Sequence, residues 1–426
     1  MDPNRYAAYS ALKHIEEKYA YSNVAVNRYA QKPGVTSQAF VRELVYGVLR
    51  HSYFLDYNIG RLLNRPDRRM PAGISILMRM GMYQLLFMES VSDYAAVDET
   101  VGMAAKLFKG RQGLVNAVLR TFVRNGKQTA VPDSCDAVEN FSIRYSAHPD
   151  IVNTWIAAYG TERAQSLLES ALCIPPLTMR VNTQKTTRAQ LIEDLAGLGH
   201  SAKAGIWSGT ALSIDGGDVL SGELYKRGHF SVQDESSQVA ADVLDPKSGE
   251  YIVDMCAAPG GKSCASAERM QDQGVVRAFD VHAWKIPLIR DEAHRLGLQI
   301  IEASVWDGTV FDADLAGRAD GVWVDAPCSG LGVLRRKPEI KQRNLDAVPA
   351  LCDLQAALLA NASHYVKPNG RLLYTTCTIN PAENEEIVKA FCDANQMYRV
   401  EKECQLTPSE HGTDGFYICL MRRQHD

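Results

Sequence analysis

The sequence predicts a multi-domain protein: an all-α N-terminal domain, a small α+β module, and an α/β domain with a Rossmann-like sheet. Its 426 residues exceed the usual size of one domain. Apolar residues recur every three or four positions up to about residue 128, which indicates amphipathic helices. Beyond residue 236, short β-branched runs alternate with helical stretches, as in mostly parallel sheets. We therefore place the domains at 1–128, 129–235 and 236–426.

The N-terminal domain carries an excess of positive charge. Residues 1–130 contain 18 Lys and Arg against 10 Asp and Glu, although the whole chain has 46 against 50. A basic helix is expected to begin at residues 106–111 and to continue through 114–120. We interpret this half of the chain as the part that holds a polyanion.

The middle and C-terminal domains are predicted from shorter patterns. Residues 177–181, 211–214 and 229–232 are strand-like, and residues 187–198 form a helix behind a Thr cap. The α/β domain has expected strands at 251–255, 275–279, 299–303, 321–324 and 371–375, with helices at 284–296 and 351–366. Ligands of such sheets bind at the carboxyl ends of the strands, so the residues that follow each strand are the candidates for chemistry.

Several classes of protein fit the composition poorly. The ten cysteines include no Cys-x-x-Cys pair, and no apolar stretch follows the start of the chain. The most apolar stretch, residues 74–91, contains Arg79 and Glu89 and is expected to be a buried helix rather than a membrane span. We expect free thiols, no metal, no membrane association and a cytoplasmic location.

The first strand of the α/β domain leads into a loop of small residues, 256–263, with the sequence Cys-Ala-Ala-Pro-Gly-Gly-Lys-Ser. A phosphate-binding loop would need glycine where Cys256 stands, and no Gly-x-Gly-x-x-Gly fingerprint occurs. Asp280 ends the second strand, where a carboxylate would bind ribose hydroxyls. These features favour a nucleoside cofactor without a polyphosphate, and S-adenosylmethionine is the obvious one.

Two cysteines follow other strands of the same sheet. Asp325-Ala326-Pro327-Cys328-Ser329-Gly330 follows one strand, and Thr375-Thr376-Cys377 ends another. Methylation of carbon 5 of cytosine needs this set, because a thiolate that adds at carbon 6 makes carbon 5 nucleophilic. Asp325 is placed to stabilise the adduct, and Lys262 either holds the thiolate or contacts the base.

Together these segments resemble the RNA 5-methylcytosine methyltransferases, and the basic helical front resembles their NusB-like RNA-binding domain. The resemblance implies that Cys377 is the nucleophile and that Cys328 assists product release. It implies a cofactor and base site formed by Cys256, Ala257, Ala258, Pro259, Gly260, Gly261, Lys262, Asp280, Asp307 and Asp325. The implied function is S-adenosylmethionine-dependent methylation of cytosine C5 in 16S ribosomal RNA, with small-subunit ribosomal RNA as partner and a monomeric enzyme.

Alternatives remain open at this point. DNA cytosine methylases attack with the cysteine after proline, which would make Cys328 the nucleophile. Transfer RNA is a second possible substrate. A P-loop NTPase built on Lys262 and Asp325, or a non-enzymatic antitermination factor, would be a different class of protein. Arg335 and Lys337 are further candidates for phosphate contacts near the site.

Overall fold

The computed structural model describes every residue except 19, 64–69, 215–216 and 426. The chain forms two compact units, one from Met1–Cys173 and Leu334–Asn344 and the other from Ile174–Val333 and Leu345–Asp426. The expected mixture of a helical domain, an α+β module and an α/β domain is confirmed. The expected domain boundaries at 128 and 235 stay predictions.

The first unit is helical throughout its described secondary structure. Its α-helices are α1 Pro3–Lys18, α2 Ser22–Ala30, α3 Gln38–Arg50, α4 Ser52–Gly60, α5 Ala72–Phe87, α6 Asp93–Leu107, α7 Gln112–Arg124, α8 Ala137–Tyr145, α9 Pro149–Tyr159 and α10 Thr161–Ser170. The first seven bury one continuous apolar core, in which Leu12, Leu44 and Leu77 are fully inaccessible. Helix α5 has ten buried residues, so the prediction of a buried helix there is confirmed.

Two expectations for this unit are wrong in detail. Residues 106–111 do not form one basic helix, because α6 ends at Leu107 and α7 begins only at Gln112. The intervening turn contains Gly110 at a φ of +81°, a left-handed conformation that interrupts helical geometry. Residues 137–170 form three helices, where the sequence pattern predicts short strands with intervening helices.

The segment Leu334–Asn344 is separated in sequence from the rest of the first unit, yet it packs with its helices. Glu339 Oε1 accepts a hydrogen bond from the Ser22 backbone N–H at 2.9 Å. The fully buried Lys341 donates through Nζ to the Arg50 carbonyl at 2.8 Å. Burial, followed by the positive charge of Arg50, lowers the pKa of Lys341. Two buried polar side chains therefore anchor this segment in the helical unit.

The second unit begins with a four-stranded antiparallel sheet. Its elements are β1 Leu177–Val181, α11 Arg188–Gly197, β2 Ala202–Ala204, β3 Ala211–Ile214, α12 Glu223–Lys226 and β4 Phe230–Val232. The strand order is β2-β3-β1-β4. Thr187 caps α11 by accepting a hydrogen bond from the Gln190 N–H, as the sequence predicts.

The larger sheet of this unit has seven strands in the order β10-β11-β9-β8-β5-β6-β7. The strands β5 to β9 run parallel, and β10 and β11 are antiparallel additions at one edge. The elements are α13 Glu235–Leu244, β5 Tyr251–Asp254, α14 Gly261–Arg269, β6 Val275–Asp280, α15 Ile286–Leu296, β7 Ile301–Val305, β8 Ala319–Asp325, α16 Val348–Ser363, β9 Val366–Thr376, α17 Glu385–Ala394, β10 Tyr398–Leu406, α18 Pro408–His411 and β11 Phe416–Arg423.

The order of the parallel strands reverses at β5, which lies between β6 and β8. The chain leaves β5 toward β6 on one side and later returns to β8 on the other. The loops that follow β5 and β8 therefore diverge and open a crevice at the carboxyl edge of the sheet. This topology places the loop after Asp254 and the loop after Asp325 on the same edge.

Two features are absent from the described residues. None of the helices there combines the length and the apolar character that a membrane span requires. Among the same residues, no group of three or more His, Cys, Asp or Glu side chains could hold a metal ion.

Candidate active site

The loop between β5 and α14 brings the backbone close to the crevice. Gly260 has a φ of +110°, and a Cβ at this position would lie 3.1 Å from Cα of Ile289. The Ala257 N–H donates to the Phe279 carbonyl at 2.7 Å, which holds the loop against β6. Helix α14 then begins at Gly261. The first N–H groups of a helix have no acceptor within the helix, an arrangement that suits electron-rich ligand atoms.

Asp254 lies beneath this loop and is 1% exposed. The Ser263 hydroxyl donates to Asp254 Oδ2 at 2.6 Å. Burial outweighs this hydrogen bond and raises the pKa of Asp254 to about 7. The carboxyl group therefore changes its charge near neutral pH.

The raised pKa of Asp254 makes a prediction about stability. The unfolded chain has a carboxyl pKa of about 3.9, so between roughly pH 4 and 7 the folded chain binds more protons than the unfolded chain. The contribution of Asp254 to stability is therefore present at low pH and is lost as the pH rises through about 7. We expect the Asp254→Asn variant to gain stability relative to the parent on going from about pH 5 to about pH 8. Urea unfolding across this range measures the difference; a pH-independent difference contradicts the prediction.

Two further carboxylates follow β6 and β7. Asp280 is buried at the end of β6, where Oδ1 accepts from the His282 N–H at 3.0 Å and Oδ2 lies 3.2 Å from Lys285 Nζ. Asp307 is exposed, and its Oδ1 accepts from the Thr309 N–H and hydroxyl. These two hydrogen bonds lower the pKa of Asp307. Both side chains therefore lie at or beyond strand ends, and Asp307 also closes a local turn.

Lys262 and Asp325 form an ion pair. The Lys262 ammonium lies 2.8 Å from Asp325 Oδ2, and the Thr375 hydroxyl donates to Asp325 Oδ1 at 2.9 Å. The Trp323 indole N–H donates to the Thr375 hydroxyl at 2.9 Å, so the carboxylate is held from both sides. Although burial opposes the charged form, attraction to Asp325 and then to Cys377 raises the pKa of Lys262.

The two cysteines that follow β8 and β9 lie in contact. Cys328 Sγ and Cys377 Sγ are 3.3 Å apart. The hydrogen bond to Cys377, followed by burial, raises the pKa of Cys328, so this thiol keeps its proton. Cys377 has the Lys262 cation among its charged neighbours. The arrangement pairs a protonated thiol with a second sulfur that a cation favours as thiolate.

Cys256, which the resemblance also places in the cofactor loop, has a different environment. Burial, followed by the negative charges of Asp254, Asp325 and Asp280, raises the pKa of Cys256. It is therefore a neutral thiol at physiological pH and is poorly suited to nucleophilic attack. Cys256 is surrounded by negative charges, whereas the pair of cysteines that follow β8 and β9 includes Cys377, which has a cation beside it.

The loop that carries Cys328 crosses closely over the backbone near β11. The Gly332 N–H donates to the Cys377 carbonyl at 3.0 Å, and the Gly415 N–H donates to the Gly332 carbonyl at 2.8 Å. A Cβ on Gly332 would lie 1.9 Å from the Gly415 carbonyl oxygen and 2.8 Å from that of Cys377. Only glycine fits this crossing, which ties the Cys328 loop to the Cys377 loop.

The Gly332→Ala variant is expected to lose about 3 kcal/mol of stability, because both backbone segments must move. Chemical denaturation is the measurement. Gly113→Ala is the matched control, since a Cβ there meets no atom within 4 Å. This control is expected to be neutral or slightly stabilising in its helix. Equal behaviour of the two variants would contradict the importance of the crossing.

Glu383 is a residue of the site that the sequence motifs do not reveal. The motif from residue 380 to 383 predicts a helix start in which the glutamate bonds back to the cap. In the structure a 3₁₀ helix forms there, and the buried carboxylate accepts from Ser329, Thr378 and the Asn380 side chain. A clue is present in the sequence, because Glu383 follows Cys377 by only six residues.

Arg335 and Lys337 are the two residues that the sequence offers as phosphate contacts. Both belong to the segment Leu334–Asn344, which is part of the first unit. Arg335 is 6% exposed, and the Lys337 ammonium lies 4.9 Å from the centre of the Tyr21 ring. The Lys337 side chain therefore packs against a residue of the first unit, and phosphate contact by either residue near the active site stays a prediction.

Comparisons with protein families match all three parts of the chain. Residues 241–422 match the model described as 16S rRNA methyltransferase RsmB/F, and residues 2–124 match the NusB family. Residues 148–219 match the ferredoxin-like domain of RsmF/B-like methyltransferases.

Two relatives and one solved structure match nearly the whole chain. A probable ribosomal RNA small subunit methyltransferase B from Bacillus subtilis is 36% identical, with 98% of each chain covered. A ribosomal RNA small subunit methyltransferase B from Pseudomonas putida is 33% identical over 99% of this chain and 98% of its own. The structure of the protein PH0851 shares the fold with a TM-score of 0.84 at 24% identity over 99% of both chains. A methyltransferase homolog from Pyrococcus horikoshii covers 68% of this chain and all of its own, with 26% identity and a TM-score of 0.60.

Proposed function

The chain belongs to the RsmB/F family of 16S rRNA methyltransferases, and from this premise we propose that it methylates carbon 5 of a cytosine in small-subunit ribosomal RNA through a covalent cysteine adduct. The observation that carries the proposal is the contact of two thiols, Cys328 and Cys377, 3.3 Å apart at the ends of neighbouring parallel strands. Methylation at an oxygen or nitrogen atom needs no sulfur nucleophile, whereas methylation at carbon 5 does.

The methyl donor is S-adenosylmethionine in this proposal. It supplies an electrophilic methyl group on a sulfonium. The residues that would hold it are the small-residue loop from Cys256 to Lys262, with Asp280 and Asp307 beyond the next two strands. The fit is supported by Gly260, where the backbone conformation disfavours a side chain and a Cβ would lie in tight contact with Ile289, so that the backbone of the loop can approach a ligand. Buried Asp280 offers a carboxylate where ribose hydroxyls would bind.

The reaction follows from the positions of the side chains. The Cys377 thiolate forms a bond to carbon 6 of the cytosine, and the electron pair displaced from the ring makes carbon 5 nucleophilic. The Asp325 carboxylate accepts a hydrogen bond from the amino group of the base. N3, where charge develops as the bond forms, takes up a proton from solvent and then donates a hydrogen bond to the same carboxylate. After carbon 5 accepts the methyl group, its proton leaves to solvent and the electron pair of the carbon–sulfur bond returns to Cys377. The protonated Cys328 hydrogen-bonds that leaving thiolate.

Lys262 interacts with two groups that take part in this reaction, a carboxylate and a sulfur. Its ammonium pairs with Asp325 and attracts the charge of Cys377. We assign it to holding the carboxylate in place and to favouring the thiolate, rather than to direct contact with the base. The target cytosine must leave its stack to reach these groups, as in other enzymes that modify a base.

The front of the chain supports an RNA substrate. Residues 2–124 match the NusB family, and residues 1–130 carry the excess of basic residues noted above. Family membership favours methyl transfer over ATP hydrolysis or a purely structural antitermination role, and the names of the relatives favour ribosomal over transfer RNA. The expected cytoplasmic location and monomeric state stay predictions.

The test is transfer of a radiolabelled methyl group from S-adenosylmethionine to unmodified 16S ribosomal RNA, with bisulfite sequencing of the product. One protected cytosine in the ribosomal RNA is expected. Transfer RNA and 23S ribosomal RNA serve as parallel substrates. Labelling of transfer RNA alone, or of a base other than cytosine, would overturn the proposal.

A further inference from the structure

The buried carboxylate of Glu383 joins the two loops that carry the cysteines. On the side of the loop after β8, Glu383 Oε1 accepts from the Ser329 N–H at 2.8 Å, and Oε2 accepts from the Ser329 hydroxyl. On the side of the loop after β9, Oε2 accepts from the Asn380 amide at 3.1 Å and from the Thr378 hydroxyl at 3.4 Å. One side chain with no solvent exposure thus binds neighbours of both sulfurs.

A second buried residue extends the same network. Gln355 on α16 donates through Nε2 to the Pro327 carbonyl at 2.8 Å and to Glu383 Oε1 at 3.1 Å. The residues on both sides of Cys328 are therefore fixed to Glu383, one directly and one through Gln355. Removing such an acceptor would leave buried donors unpaired, so the loop would have to rearrange to satisfy them.

The two cysteines depend on this network to different degrees. Cys377 directly follows the last residue of β9, a strand paired on both sides, so the sheet itself fixes its position. Cys328 lies three residues beyond the end of β8 and is held by loop contacts. The Glu383 carboxylate supplies two of these contacts through Ser329. Loss of the carboxylate should therefore move Cys328 more than Cys377.

We propose that Glu383 is a positioning residue that holds the Cys328 thiol against Cys377 and so controls release of the methylated product. The proposal rests on the proposed covalent mechanism, which consists of adduct formation and adduct release, and it assigns Glu383 to adduct release. Adduct formation needs Cys377 and should depend little on Glu383. Adduct release needs Cys328 within hydrogen-bond reach of the leaving sulfur. The negative charge of Glu383 also favours the protonated form of Cys328. It is the fourth largest cause of the raised pKa of Cys328, and the larger causes are the hydrogen bond to Cys377, burial and the charge of Cys377.

The first experiment measures the sulfur contact without RNA or cofactor. Diamide oxidises two adjacent thiols to a disulfide and is itself reduced to the hydrazine, taking up both hydrogens. We expect the full-length parent chain to form the Cys328–Cys377 disulfide rapidly, as detected by peptide mass spectrometry. In Glu383→Gln the rate should fall by about 10- to 100-fold, the scale on which small misplacements act. Glu386→Gln is the matched control, because Glu386 is exposed and lies three residues further along the same segment.

The second experiment separates the two halves of the reaction. Adduct formation is measured with 5-fluorocytosine RNA, and release is measured with ordinary RNA as the fraction of protein bound covalently at steady state. For Glu383→Gln we expect adduct formation within about threefold of the parent and release slowed by about tenfold or more. Ser329→Ala removes the hydroxyl contacts with Glu383 and with Thr378 but keeps the N–H contact with Glu383, and should have a smaller effect in the same direction.

The outcomes distinguish this inference from the proposed function. If the parent chain forms no adduct with 5-fluorocytosine RNA, the proposed covalent mechanism fails, whatever Glu383 does. If the parent forms the adduct and Glu383→Gln matches it in both disulfide formation and release, the positioning role fails and the mechanism stands. Equal slowing of adduct formation and release would mean that Glu383 only supports the fold, which also overturns the positioning role.

Discussion

The Cys377→Ala variant is expected to form no covalent adduct with 5-fluorocytosine RNA and to lose methyl transfer to background. Cys377 is the sulfur that directly follows β9 and has the Lys262 cation among its charged neighbours. Without a thiolate at carbon 6, carbon 5 stays a poor nucleophile, so no other residue replaces the lost step. Enzymes that lose their nucleophile slow by as much as roughly 10⁶-fold, and we expect an effect on this scale.

The measurement is denaturing gel electrophoresis of the protein with labelled RNA, together with methyl-transfer assays. Cys135→Ala is the control, because Cys135 is an exposed free thiol in the first unit. It is expected to behave as the parent. If Cys377→Ala still forms the adduct while Cys328→Ala does not, the cysteine after proline is the nucleophile, as in DNA cytosine methylases, and our assignment of roles is reversed.

The Cys328→Ala variant is expected to accumulate a covalent complex with ordinary RNA in the presence of S-adenosylmethionine. The raised pKa of Cys328 keeps its proton available to the leaving sulfur 3.3 Å away. Without that donor the methylated adduct forms but releases slowly, and turnover should fall by about 10²- to 10⁴-fold, as when other enzymes lose a proton-handling group.

A denaturant-resistant protein–RNA band that contains the transferred methyl group is the expected readout. The double variant with both cysteines replaced by alanine should show no band, because the adduct then cannot form. If Cys328→Ala releases product at the parent rate, Cys328 has no part in release. The proposed role of Glu383 would then fail as well, because it acts on release only through Cys328.

The periodicity of the sequence predicts many of the strands in both sheets, and tertiary structure decides the rest. The runs 177–181 and 211–214 coincide with β1 and β3, because β-branched and apolar residues there face a buried side. The same reasoning does not find the helices of residues 137–170, because they are only 9 to 11 residues long and each shows a short apolar repeat. The antiparallel strands β10 and β11 follow the last predicted strand and complete an edge that local patterns do not reveal.

The sequence motifs also locate the cysteine pair and the Lys262–Asp325 neighbourhood, because strand ends of a parallel sheet meet at one edge. Glu383 is harder to find because a local capping role already explains it. Its hydrogen bonds to Ser329 span 54 residues of sequence, and no periodicity reports such a distance. Lys341 is a similar case, since lysine is exposed by default and only the structure shows it fully buried.

The segment Leu334–Asn344 has a consequence for dissecting the protein into fragments. The chain passes from one unit to the other at three places, after residues 173, 333 and 344, so a single cut does not separate them. A truncated chain starting at residue 174 would retain this segment but lose Ser22 and Arg50, its hydrogen-bond partners. Lys341 would then lack its acceptor, and the loop between β8 and α16 would lose its anchor. A catalytic fragment made by simple truncation would therefore contain, in the middle of its sequence, a segment that has lost its packing partners.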